Sequence, residues 1–244
     1  MSRLLGDHAR IYVGATGVKC HYCTGKWFTC IPEHRSFFVA PQTGAATDEG
    51  GLHRALCAAI EVVKPTARSA DVVISNQLAR YCLVPWRDDL RNHEEELAYA
   101  KDCMVEIYGE AAREWIVRVN TDRPGANQLA CALDPELLAT FNAVEDKTKF
   151  KFRSIQPSLV DAFNHSRAKI TRKSVWLALA EGSQLCLAYM NNRRWQWLRT
   201  VRVDAQWRQS IRKLIAAECC LAGIDGLDAP ALIIGPKPEI AHVA

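Results

Sequence analysis

Ile11-Tyr12-Val13-Gly14-Ala15-Thr16-Gly17-Val18-Lys19 is two short β-type runs meeting at a pair of glycines, the pattern of a tight hairpin. Around it, Ala9 to Val39 carries the runs ARIYVG, VKCHYC, WFTCI and RSFFVA, broken by Gly14, Gly17, Gly25 and Pro32. Glycine and proline punctuate strands, so the stretch reads as a meander of about three strands. A loop rich in Gly, Thr and Pro follows. Leu52, Leu56, Ala59, Ile60 and Val63 are then spaced as the apolar face of a helix that must end before Pro65. ADVVIS is a short buried strand, and LARYCLVPW another that Pro85 closes.

The middle of the chain alternates helices and strands. HEEE after Asn92 opens a helix, because carboxylates favour the exposed amides of a first turn, and Gly109 stops it. Strands EWIVRV and NQLACALD flank a Pro-Gly turn. Two Pro-started helices, in PELLATFNAVEDKT and PSLVDAFNHSRAK, surround the strand FKFRSI. From Ser174 the opening theme returns: strands SVWLALA, QLCLAYM and RWQWLRTVRV, a helix from Ala205 to Ala222, and the strand ALIIG. Three strands, a helix and a strand thus occur twice, near residues 9–75 and 174–235, as a duplication of structure without repetition of sequence.

Composition bounds what such a chain does. Its 244 residues, 49% hydrophobic and 24% charged, suffice for one large or two small packed domains. No apolar stretch approaches the roughly 20 residues that cross a bilayer, and the start MSRLLGDHAR has no apolar signal core, so the expected location is the cytoplasm. The ten cysteines sit mostly in apolar runs such as YCLV and QLCLAY, as small buried hydrophobes of a reducing compartment. Cys20 and Cys23 are three apart on a strand and so face opposite sides, which argues against a metal site. The net charge of +4 is spread along the chain, apart from Arg167 to Lys173 and Arg193 to Arg212. Trp195, Trp197 and Trp207 lie in the latter stretch. Period-two alternation puts Trp195 and Trp197 on one strand face, where a packed edge or a protein interface accounts for them better than nucleic acid. No serine sits in a nucleophile-elbow or triad pattern, and the histidines show no ligand spacing.

Strand-strand-strand-helix-strand, twice over, resembles the actin-like, ribonuclease-H-type α/β fold, a two-lobed frame in which each lobe is a mixed sheet with flanking helices. The run LACALDPELLATFNAV, FKFRSIQPSLVDAF, SVWLALAEGSQLCLAY is similar to that of the type IV pilus assembly PilM family and of the cytoplasmic part of the type II secretion L protein. The resemblance implies a first lobe over 1–172, with inserted strand-helix units, and a smaller second lobe over 173–244. It also implies a degenerate nucleotide cleft. The family's first phosphate hairpin, Asp-Ile-Gly-x-Thr-x-x-Lys, is met here at Gly14, Thr16 and Lys19, but Tyr12 stands where the acid belongs. A phenol of pKa near 10 does not replace a carboxylate around magnesium. The second hairpin keeps Gly182 and Ser183 without its strand aspartate, and Gly235-Pro236 retains one glycine of a pair. Taken alone, Gly14, Thr16 and Lys19 need no ligand, since a turn suits glycine and leaves a lysine solvated. The resemblance therefore implies a non-catalytic scaffold that docks a cytoplasmic peptide of a membrane-anchored platform protein or the secretion ATPase. The alternative is an ATP-binding protein with a weakened magnesium site.

Overall fold

In a computed structural model, residues 8–23, 49–65, 67–120, 124–168 and 170–234 are described. Contacts divide the chain into two compact units, Met1–Ala79 with Leu133–Asp161, and Arg80–Ala132 with Ala162–Ala244. This division differs from the boundary at 172/173 expected from sequence: residues 80–132 group with the second meander. The expected strands WFTCI and RSFFVA and the candidate Gly235 lie outside the described residues.

The first unit is built on β1 (His8–Gly14), which pairs antiparallel with β2 (Gly17–Cys23) and parallel with β3 (Ser69–Ile74). Further along the chain, β7 (Lys151–Pro157) adds in parallel beside β3, giving the order β2-β1-β3-β7. Alternation sends Ala9, Ile11 and Val13 of β1, Val18 and Cys20 of β2, and Ala70, Val72 and Ile74 of β3 to one face. Two helices cover that face. α1 (Glu49–Val63) contributes Ala55, Leu56, Ala59, Ile60 and Val63, and α3 (Pro135–Thr148) contributes Leu137, Phe141 and Val144. α3 starts as its sequence dictates, with Asp134 accepting from the Glu136 amide at 2.9 Å and Pro135 in the first turn.

The second unit holds two sheets. β4 (Arg80–Val84), β6 (Gln128–Leu133) and β5 (Ile116–Asn120) form a three-stranded sheet in the order β4-β6-β5. It packs on α2 (His93–Tyr108) through Cys82, Val84, Ala100, Met104 and Ala130. Asn92 caps α2, accepting from the Glu95 amide, while Glu95 reaches back to the Arg91 amide at 2.8 Å. After α4 (Ser158–Ser166), the second meander runs as β8 (Ser174–Glu181), β9 (Gln184–Asn191) and β10 (Arg194–Arg202). α5 (Trp207–Ala222) and β11 (Ala231–Ile234) follow, and β11 lies parallel to β8. The order β10-β9-β8-β11 repeats the logic of the first sheet: a hairpin's first strand pairs antiparallel on one side and, across a helical connection, parallel on the other.

One expectation fails here. A β-bulge at Gln196 shifts the register so that Trp195 opposes Met190 while Trp197 opposes Tyr189. The extra residue breaks the alternation and puts the two tryptophans on opposite faces. Trp195 is buried against Phe163, with ring centroids 5.1 Å apart, and Trp197 packs toward α5, its indole N–H donating to Glu218 at 3.3 Å.

Two backbone positions in this unit carry measurable consequences. The β9–β10 turn places Asn192 at φ 52° and Arg193 at φ 62°. Two-residue hairpins of this type favour Asn-Gly, and a left-handed arginine costs about 1 kcal/mol. Gly226 sits under the buried Trp176–Tyr189 pair; a Cβ there would lie 3.0 Å from the tyrosine ring and 3.3 Å from the indole nitrogen. Trp176 Nε1 donates to the Gly226 carbonyl at 2.8 Å and Tyr189 Oη to the Asp225 carbonyl at 3.1 Å, so neither ring yields freely. In denaturant titrations Arg193→Gly gains about 1 kcal/mol, whereas Gly226→Ala loses about 1–3 kcal/mol through overpacking.

Candidate functional site

The same alternation that buries Ile11 and Val13 puts Arg10, Tyr12 and Gly14 on the opposite face of β1, all half-buried. Cross-strand pairing sets His21 opposite Arg10, Lys19 opposite Tyr12 and Gly17 opposite Gly14. Ala15 and Thr16 form the turn between them, and Gly17, at φ 153°, takes a backbone that side-chain-bearing residues rarely adopt. Three of the residues singled out in the sequence are therefore brought together on one hairpin. Thr16 and Lys19 are exposed there.

What surrounds Tyr12 decides the chemistry. Its ring meets His21 edge-on at 5.2 Å, and the Arg10 guanidinium carbon lies 5.4 Å from its centroid. Arg10 forms an ion pair with Asp161 of α4, whose side chain is 11% exposed, and Gln156 Nε2 donates weakly to the same carboxylate at 3.4 Å. Asp71 is the register partner of Arg10 on β3. It is ion-paired to Arg153 and accepts from Ser154 Oγ at 2.7 Å. Two carboxylates thus stand near β1, and each is held by an arginine. A hard cation such as magnesium needs oxygen ligands free to turn toward it. Among the described residues of this face Tyr12 supplies a phenol, and Asp71 and Asp161 are each paired with a guanidinium group, so these residues do not fit a magnesium–nucleotide site.

In the second hairpin, Gly182, at φ 60°, and Ser183 are both exposed at the tip, and the Ser183 carbonyl accepts from the Val203 amide at 2.9 Å. The strand leading to it is apolar, with Trp176, Leu177 and Ala178 fully buried. Gly182 and Ser183 belong to the second compact unit, whereas Gly14, Thr16 and Lys19 belong to the first.

Arg10 and Asp161 are the ion pair on this face that sequence reasoning missed. They are 151 positions apart, and nothing local marks either as the other's partner. The cysteines carry a separate message. Burial pushes the thiols of Cys20, Cys82, Cys131 and Cys186 up to about 12, which leaves them protonated and unreactive near neutrality. Among the described residues no group of three or more His, Cys, Asp or Glu side chains converges on a metal position.

No protein-family model and no curated protein matches the chain. Solved structures do. The cytoplasmic domain of EpsL, an inner membrane component of the type II secretion system of Vibrio cholerae, superposes with a TM-score of 0.56 at 12% identity, over 98% of this chain and 87% of that one. A Bacteroides thetaiotaomicron protein of actin-like ATPase fold and unknown function gives 0.56 at 8% identity, over 96% and 93%. The chain has the actin-like ATPase fold. The PilM–PilN type IV pilus biogenesis complex supplies a further likeness, with a TM-score of 0.57 at 12% identity, over 91% of this actin-like chain and 68% of that one. At these identities the likeness is one of fold.

Two measurements check the site. Asp161→Ala, which leaves the Arg10 guanidinium half-buried without this carboxylate, lowers unfolding free energy by about 2–4 kcal/mol. Iodoacetamide at pH 8, read by peptide mass spectrometry, modifies exposed Cys220 in the native protein and reaches Cys20, Cys82, Cys131 and Cys186 only after denaturation.

Proposed function

We propose that this actin-like chain is a non-catalytic scaffold in the cytoplasm, held at the inner membrane through a partner: a cytoplasmic peptide of a membrane-anchored platform protein, or the secretion ATPase. The carrying observation is the state of the β1 polar face. Arg10 is ion-paired to Asp161 and Arg153 to Asp71, and Tyr12 meets His21 edge-on, where a hydrolytic site would present carboxylates to a metal. A frame whose catalytic face is closed by its own side chains is left with protein binding as the use that best explains its retention. The fold neighbours support a role of this kind. EpsL is a component of a secretion system's inner membrane, and PilM was solved with PilN. Among the described residues no helix is long and apolar enough to cross a membrane. An extended peptide adding to a sheet edge, or laid in a groove, is the docking mode that suits these sheets.

One observation favours residual nucleotide binding. A Cβ at Gly14 would meet nothing nearer than the Gly17 carbonyl oxygen, at an ordinary 3.6 Å, so the space beside the hairpin does not require glycine there. Close approach of a ligand to the backbone is the other reason to keep one. Titration with a fluorescent ATP analogue and magnesium separates the two readings. The scaffold predicts no saturable binding, together with recovery of a single-span membrane protein or the secretion ATPase in pull-downs from native membranes. Micromolar binding abolished by Lys19→Ala establishes the nucleotide reading instead.

A further inference from the structure

The first residues of β8 and the β9–β10 turn form one end of the second unit's four-stranded sheet. Asn192 donates its amide to the Lys173 carbonyl at 2.6 Å, and Asn191 is paired with Ser174 on one side and Arg194 on the other. Arg172, Lys173, Arg193 and Arg194 therefore lie together at this tip of the sheet, and all four are exposed. None of them takes part in an ion pair among the described residues, although Arg87, Arg113 and Arg199 of the same unit pair with Asp89, Glu110 and Glu218. Arg172 also borders a recess of about 200 Å³ with Asp228 and Leu227, and the leucine is 53% exposed.

Like charges gathered at one end without ion pairs among the described residues repel, and the turn adds a strained arginine where glycine would relieve the backbone. Strain kept at an exposed position points to use. The chemistry of the tip narrows that use. Protein interfaces depend on aromatic anchors seated in pockets, yet Trp195 and Trp197, the aromatic side chains next along the strand, are turned inward to Phe163 and Glu218. A set of long, exposed cationic side chains beside one exposed leucine matches instead a surface of anionic headgroups, where the cations meet phosphates and the leucine reaches the acyl boundary.

We infer that Arg172, Lys173, Arg193 and Arg194 form a docking tip for the anionic leaflet of a membrane. The tip acts without any protein partner, so the inference stands or falls separately from the scaffold reading. Its test uses the full chain alone, with sedimented vesicles of phosphatidylcholine, either pure or containing about 30% phosphatidylglycerol, a composition chosen to give a strong surface charge. The protein is expected to partition onto the anionic vesicles only, and to leave them as salt shortens the screening length. Arg193→Glu/Arg194→Glu is expected to lower partitioning about tenfold or more with an unchanged melting temperature. Arg193→Gly is expected to lower it about fivefold while raising the melting temperature, a combination that a purely structural turn residue does not produce. Equal binding to both vesicle types, or binding that the double reversal leaves intact, overturns the inference. Salt-dependent retardation of single-stranded DNA without vesicle binding overturns it in favour of a nucleic-acid surface.

Discussion

A strand has two faces, and on β1 they are given to opposite purposes. Ile11 and Val13 enter a core shared with α1 and α3, which fixes the register of the hairpin, because a slip of one residue would exchange them for Arg10 and Tyr12. The same constraint aims Arg10, Tyr12 and Gly14 at the other side without further design. There the arginine finds Asp161 and the phenol finds His21. The core of the first unit thus holds the polar face in place, and the polar face has closed on itself.

Much of the architecture could be read from the chain. The glycines of the first hairpin, the acidic start of α2 after Asn92, the Pro-started α3, the glycine at 109 and the return of the meander at Ser174 all rest on local chemistry, and local chemistry is what a single sequence records. The failures are equally physical. Trp195 and Trp197 were separated by a bulge, and one inserted residue in a ladder leaves no mark on composition. Assignment of residues 80–132 to the second unit depends on packing between segments far apart in the chain. The candidate site was half legible. Gly14, Thr16 and Lys19 were singled out by the resemblance to the family's phosphate hairpin, whereas the ion pair on the same face joins residues from the first strand and the fourth helix.

The second unit shows how a duplicated frame diverges. Its hairpin is apolar on both faces of β8 and β9, so no row of polar groups is left to face a ligand. Polar hydrogen bonding has moved to the far end of the sheet, where Trp176 and Tyr189 hold the backbone of Gly226 and Asp225 and so fix the approach to β11.

The way each unit is assembled from two separated stretches also sets a schedule for synthesis. β3 acquires its neighbour β7 only after residues 80–132 have left the ribosome, and those residues belong to a unit whose larger part has yet to be made. During that interval the outer edge of β3 carries unpaired amides and carbonyls, and the sheet of β2, β1 and β3 waits without its companion. A nascent chain of this topology spends its most exposed period with the first unit half closed, the stage at which a chaperone would have most to hold.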